Sequence, residues 1–66
     1  MTLTVNGEKQ EFYGIANVTE LVSHYRLQDK LVVVEIDGEV IDRNDWEQTQ
    51  LKDGMTIELV HFVGGG

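Results

Sequence analysis

The residues with the clearest chemical potential are the last five, Phe62-Val63-Gly64-Gly65-Gly66, which end in an α-carboxylate that is ionised at neutral pH. A carboxylate is a poor acyl donor until it is activated. Three extended residues reach roughly 10 Å, and without side chains they can enter a channel too narrow for others. That geometry suits delivery of Gly66 to the active site of another protein. A glycine ending alone is also what a frayed terminus looks like. Here the glycines directly follow a strongly patterned segment, which favours function. Ordering them on docking costs roughly 3 to 6 kcal/mol of backbone entropy. Burial of Val60 and Phe62, at about 1.5 to 3 kcal/mol each, offsets a similar amount. Val60, Phe62, Val63, Gly64 and Gly65 are therefore the expected partner-binding residues and Gly66 the covalent site, unless the helix or a neighbouring loop covers Val60 and Phe62.

The remaining candidates are weaker. His24 and His61 have no second histidine or cysteine at metal-site spacing and read as surface or edge residues. The acidic turns Asp37-Gly38-Glu39 and 42–47 lack the alternating ligands of a calcium loop and read as a solvated face. No phosphate-binding glycine loop, nucleophile elbow or Cys/His pair is present. Trp46 reads as a cover for the edge of its own core. No catalytic residue and no metal site is expected in this chain.

Composition narrows the partners. Twelve acidic residues against five basic ones give a formal net charge of −7, which repels nucleic acid and anionic lipid and favours a basic protein surface. Sixty-six residues make one domain at most, with little room for a deep cleft. The chain has no cysteine, so packing and backbone pairing must stabilise it. The opening Met-Thr-Leu-Thr-Val lacks a basic leader, and the longest aliphatic run, 31–34, is too short to span a bilayer. A cytoplasmic protein is expected.

The elements that must position the tail follow from periodicity and turn chemistry. Leu3 and Val5 alternate with Thr2 and Thr4 as a half-buried strand ending at Asn6-Gly7, a tight-hairpin signal. The return strand is expected over 8–13 with Phe12 inward. Asn17 with Glu20 three residues on predicts an N-cap with a capping-box-like partner. Val18, Leu21, Val22 and Tyr25 then form an apolar stripe on a helix that fades near Leu27, with Glu20, Ser23 and His24 outward. The run 31–36 reads as a strand covered over most of its length, and Asp37-Gly38 as a second tight turn into a short strand at Val40 and Ile41. Residues 42–50 read as an ordered loop in which Asp42 or Asn44 caps a single turn presenting Trp46. After the Lys52-Asp53-Gly54 turn, Met55, Ile57 and Leu59 alternate inward and leave Val60 and Phe62 outward. The order predicts an α+β fold, a helix across one mixed sheet, satisfied by a β-grasp and also by another small α+β sandwich. The body is expected over 1–63 and a flexible tail over 64–66.

Leu3-Thr4-Val5-Asn6-Gly7, the Asn17-Val18-Thr19-Glu20-Leu21-Val22 helix start, the 31–38 strand and turn, and the closing His61-Phe62-Val63-Gly64-Gly65-Gly66 together resemble the ThiS family. These are sulfur carriers of thiamine biosynthesis in the ubiquitin-like β-grasp superfamily, and the resemblance runs the whole length. It implies that a ThiF-like adenylating enzyme uses ATP to convert the Gly66 carboxylate to an acyl-adenylate. A sulfur donor such as a cysteine desulfurase system then converts it to a thiocarboxylate, whose sulfur passes to a ThiG-like thiazole synthase. ATP and metal are implied to be bound by the adenylating partner and no cofactor by this chain. The small subunit of molybdopterin synthase is a related alternative with a normally longer chain. A ubiquitin-like modifier and a tail-independent interaction domain are further alternatives.

Overall fold

Both residues of the Asn6-Gly7 turn have positive φ, 51° and 83°, the conformation whose twist matches that of paired strands. In the computed structural model, which describes residues 1–62, this turn joins β1 (Thr2–Val5) antiparallel to β2 (Glu8–Glu11). Asp37 and Gly38, at 50° and 87°, repeat the device between β3 (Leu31–Ile36) and β4 (Glu39–Ile41). The second strand is shorter than the expected 8–13. Phe12 donates its N–H to Met1 O at 2.8 Å and stays buried, while Tyr13 is exposed.

Helix α1 (Val18–His24) starts as its cap residues require. Asn17 Oδ1 accepts the Glu20 N–H at 2.9 Å, and Glu20 Oε1 reaches back to the Ala16 N–H at 2.7 Å, one residue before the usual capping-box partner. Val18, Leu21 and Val22 are buried and Tyr25 is half-buried, as the stripe predicts. The helix ends at His24 rather than near Leu27. Arg26 adopts a left-handed conformation (φ 58°), Leu27 N–H bonds Val22 O at 3.1 Å, and Arg26 N–H bonds Ser23 O at 2.9 Å. This is a Schellman closure, with Leu27 as the apolar residue that packs behind it.

The strand order is β2-β1-β5-β3-β4, with β5 (Thr56–Phe62) at the centre, parallel to β1 and antiparallel to β3. One face of this sheet carries Leu3, Val5, Val32, Val34, Ile36, Ile57 and Leu59 into a single core with the helix stripe. The stretch 42–50 is an ordered loop. Asp42 caps a 3-10 turn at Arg43–Asp45 by accepting the Asn44 N–H, and Trp46 is buried with its Nε1–H donated to Ile41 O at 3.1 Å. Leu51 N–H to Ala16 O (2.8 Å) and Val18 N–H to Thr49 O (3.2 Å) stitch this loop to the helix start.

Strand β3 differs from expectation. Val32, Val34 and Ile36 are buried, but Leu31 is 67% exposed and Val33 is only partly covered, so the strand is packed on one face. A continuous apolar run has no period, and only the sheet's second face shows that nothing within the described chain covers it.

At Gly38 a Cβ would meet no atom within 4 Å, so the penalty for a side chain there is conformational. Gly38→Val should destabilise the fold by about 1 to 2 kcal/mol or more, since a β-branched residue resists positive φ. Thermal unfolding should show a fall of roughly 5 to 15 °C, and Gly38→Asn a much smaller one.

Candidate functional site

The candidate site is the second half of β5 and the outer face of the sheet beside it. Ile57 and Leu59 point into the core at 0% and 7% exposure, which sets the phase that turns Val60 (39%) and Phe62 (52%) outward. Among the described residues, neither the helix nor a loop covers them. Across the ladder Val60 faces Val33 and Phe62 faces Leu31, so four apolar side chains share the outer face at the end of the sheet from which the chain leaves β5. Val40, 63% exposed and opposite Glu35 on β4, widens that surface. Val63, Gly64, Gly65 and Gly66, the rest of the expected site, lie outside the described residues.

Below the apolar group, Glu35 and Glu58 are direct cross-strand partners on the same outer face. Like charges opposite one another destabilise a sheet by a few tenths to about 1 kcal/mol. A fold built only for stability has no use for this pairing.

Two side chains hold β5 where strands run out. Asn6 Oδ1 accepts the Leu59 N–H at 2.8 Å, just past the last β1 residue, and Asp37 Oδ1 accepts the Thr56 N–H at 3.1 Å. Sequence reading found both residues as turn formers but missed this second role, which depends on partners far along the chain. It also missed Leu31, Val33 and Val40 as surface; only Val40, next to Glu39, has an acidic neighbour in the chain, and the run 31–34 carries no such signal.

Elsewhere the polar groups serve the fold. A cavity of about 250 Å³ lies between α1 and the 3-10 turn, lined by residues including Val22, Gln28, Arg43 and Trp46. Its guanidinium is already engaged: Arg43 Cζ sits 4.9 Å from the Trp46 ring centre, and Nη2 donates to Gln28 O at 2.7 Å. His24 is exposed and packs edge-on to Phe12 and Tyr25, with ring centres 5.3 and 5.1 Å away. His61 is exposed on the core-facing phase opposite Val32. Among the described residues, no three His, Cys, Asp or Glu side chains are grouped to hold a metal.

Two perturbed acidities are resolved, neither on β5. Glu11 on β2 is lowered by the hydrogen bond from the Thr2 hydroxyl and then by that from the Met1 ammonium. Tyr25 is raised by burial and by the nearby Glu8 carboxylate. Shifted groups mark active sites when they converge in a cleft, and these two stand apart from the apolar face. The site can bind and present, and its described residues supply no acid, base or nucleophile set.

The chain matches the ThiS family over residues 3–66. It is 41% identical over 65 residues to the sulfur carrier protein ThiS of Bacillus subtilis, covering 97% of this chain and 98% of that protein. It is also 32% identical to a thiazole synthase of Paramagnetospirillum magneticum over 66 residues, which is all of this chain but 20% of that protein. The crystal structure of the thiamine biosynthesis protein ThiS from Geobacter metallireducens superposes with a TM-score of 0.83 at 43% identity, with 100% of both chains covered. The solution structure of a thiamine biosynthesis protein from the same organism gives the same TM-score and identity. With that sheet order, helix and full-length agreement, this chain belongs to the ThiS family of sulfur carriers in thiamine biosynthesis, on the ubiquitin-like β-grasp fold.

Proposed function

We propose that the sulfur is carried on the Gly66 carboxylate and that this chain is a co-substrate of partner enzymes rather than a catalyst. The observation that carries the reading is the uncovered apolar face of Leu31, Val33, Val60 and Phe62 at the end of β5, immediately before the glycine tail. A protein that binds there receives Gly66 within roughly 10 to 14 Å of Phe62 along an extended chain.

In the proposed sequence, a ThiF-like adenylating enzyme supplies ATP and the metal that offsets phosphate charge. A Gly66 carboxylate oxygen attacks the α-phosphorus and pyrophosphate leaves, giving the acyl-adenylate. A persulfide sulfur from a donor such as a cysteine desulfurase system then adds to the carbonyl carbon, and AMP departs as the C–S bond forms. A thiol reductant cleaves the S–S bond of the resulting acyl disulfide, which leaves the thiocarboxylate and oxidises the thiol to a disulfide. The thiocarboxylate sulfur is nucleophilic and passes to a ThiG-like thiazole synthase. Support for that last partner comes from the thiazole synthase that carries a region similar to this chain, since one polypeptide gives its two parts a high effective concentration. ATP-dependent activation fits a cytoplasmic site of action. Among the described residues, no helix is long and apolar enough to cross a membrane.

Charge supports the same docking face. A net charge of −7 with Glu35 and Glu58 side by side favours a partner with an apolar patch and a basic residue beneath it. The acidic pair gives up some sheet stability, which such a residue recovers in the complex.

Amidation of the Gly66 carboxylate preserves reach and removes the attacking oxygen. After incubation with ATP, the adenylating enzyme and a sulfur source, intact-mass spectrometry should show oxygen replaced by sulfur at the C-terminus of the native chain only. Equal gain by the amidated chain, or none by the native one, would overturn the carrier site. Deleting Gly66 shortens the arm by about 3.5 Å and should sharply reduce activation with the fold intact. Phe62→Ala should leave the melting temperature nearly unchanged and weaken binding to the adenylating enzyme by about tenfold or more, measured by calorimetry. Glu58→Gln should raise stability by a few tenths to about 1 kcal/mol while weakening the same complex, and unchanged affinity would remove the acidic pair from the docking face.

A further inference from the structure

The backbone of β5 is paired unequally along its length. Its even-numbered residues face β3, as Asp37 N–H to Thr56 O (2.8 Å) and the register Glu58 to Glu35, Val60 to Val33 and Phe62 to Leu31 establish. Its odd-numbered residues face β1, which donates Thr4 N–H to Met55 O and Asn6 N–H to Ile57 O. Strand β1 then ends, its last register partner on β5 being Ile57. The Asn6 side chain takes the Leu59 N–H at 2.8 Å. By the same alternation, Leu59 C=O, His61 N–H and His61 C=O point past the end of β1. Among the described residues none of the three has a backbone or side-chain partner.

An acceptor, a donor and an acceptor in a row on an extended strand form a template for another strand. Most edges in this sheet are blunted. Strand β2 carries Glu8, Lys9 and Glu11, and β4 has three residues. The open stretch of β5 has no such protection, and it lies in the strand that leads into the tail.

We infer that an extended segment of the ThiG-like thiazole synthase adds to β5 at Leu59–His61, in line with β1, as a sixth strand of this sheet. The inference rests on the proposed transfer of sulfur from Gly66. The synthase is the chosen occupant because a relative joins a region similar to this chain and a thiazole synthase in one protein. Backbone pairing also does what the glycines cannot. With no side chains to grip, the tail's heading is set by the last residues whose backbone is held, and pairing at His61 adds a second side to a stretch that β3 holds on one side only.

Amide hydrogen exchange on the unmodified chain is the direct test. Alone, the His61 N–H should exchange quickly while Val60 N–H, bonded toward β3, is protected. In a saturated complex with the thiazole synthase, His61 should become protected. His61→Pro removes this donor at a position where a strand tolerates proline, because the N–H faces outward. It should melt close to His61→Ala yet bind the synthase about tenfold more weakly than His61→Ala. Val60→Pro, of opposite parity, should lose stability. Should His61→Pro fold poorly, N-methylation of the His61 amide in a synthetic chain replaces it.

Continued fast exchange of His61 in the saturated complex would overturn the inference, as would equal binding by the proline and alanine variants. Protection by the adenylating enzyme alone would overturn the choice of partner. These outcomes are separable from the parent reading. If the native chain gains sulfur while His61 stays open in the synthase complex, only the added strand is lost; if it never gains sulfur, the carrier site falls first.

Discussion

Strand β5 is hydrogen-bonded to β1 on one side and β3 on the other, and nearly every other feature depends on that arrangement. The parallel β1 to β5 pairing brings the start of the chain against its end. Ile57 and Leu59 then become the floor of the core, and their phase decides what the next residues expose. The helix contributes Val18, Leu21 and Val22 to cover one face, leaving the other open. Strand β5 thus anchors the body with its first half and presents a surface with its second.

This division suits the proposed role of a chain that is carried to its partners' active sites. A carrier needs a defined end, a surface that a partner can recognise and a body stiff enough to aim the end. In the proposed reading the outer face supplies recognition through Val60, Phe62 and their β3 neighbours. Asn6 and Asp37 stiffen β5 by bonding its Leu59 and Thr56 amides where strand partners are missing or turning away. In the proposed reading adenylation and sulfur transfer fall to partner enzymes that can bury phosphate charge, to which a domain of net charge −7 is electrostatically opposed.

Much of this was legible in the sequence because it rests on local rules. Asn6-Gly7 and Asp37-Gly38 are turns in any context, Asn17 with Glu20 is a helix start, and the alternation from Met55 to Phe62 sets the outward phase. The single turn before Trp46 followed from two candidate caps, Asp42 and Asn44, of which Asp42 is the one used. What escaped was long-range. Strand order leaves no mark on a single sequence, so the exposed side of β3 was hidden in an apolar run without period. The β2 end depended on where β1 begins, and the helix end on Arg26 accepting a left-handed conformation usually left to glycine. The second roles of Asn6 and Asp37 depend on the amides opposite them in the fold. Gly66 was singled out by its chemistry alone, and it lies outside the described residues.

The β1 to β5 contact has a consequence for how the chain folds. Thr2 bonds Asp53 across 51 residues and Asn6 bonds Leu59 across 53, in a chain of 66. Pairings of such sequence separation close a loop before they return any contact energy, which places them among the slow steps of folding. Strands β1 and β3 have no central strand between them until residues 56–62 are in place. Without β5 the chain has a helix and two hairpins but no sheet to join them. Closure of the whole sheet therefore waits on the one strand that also leads toward the glycines.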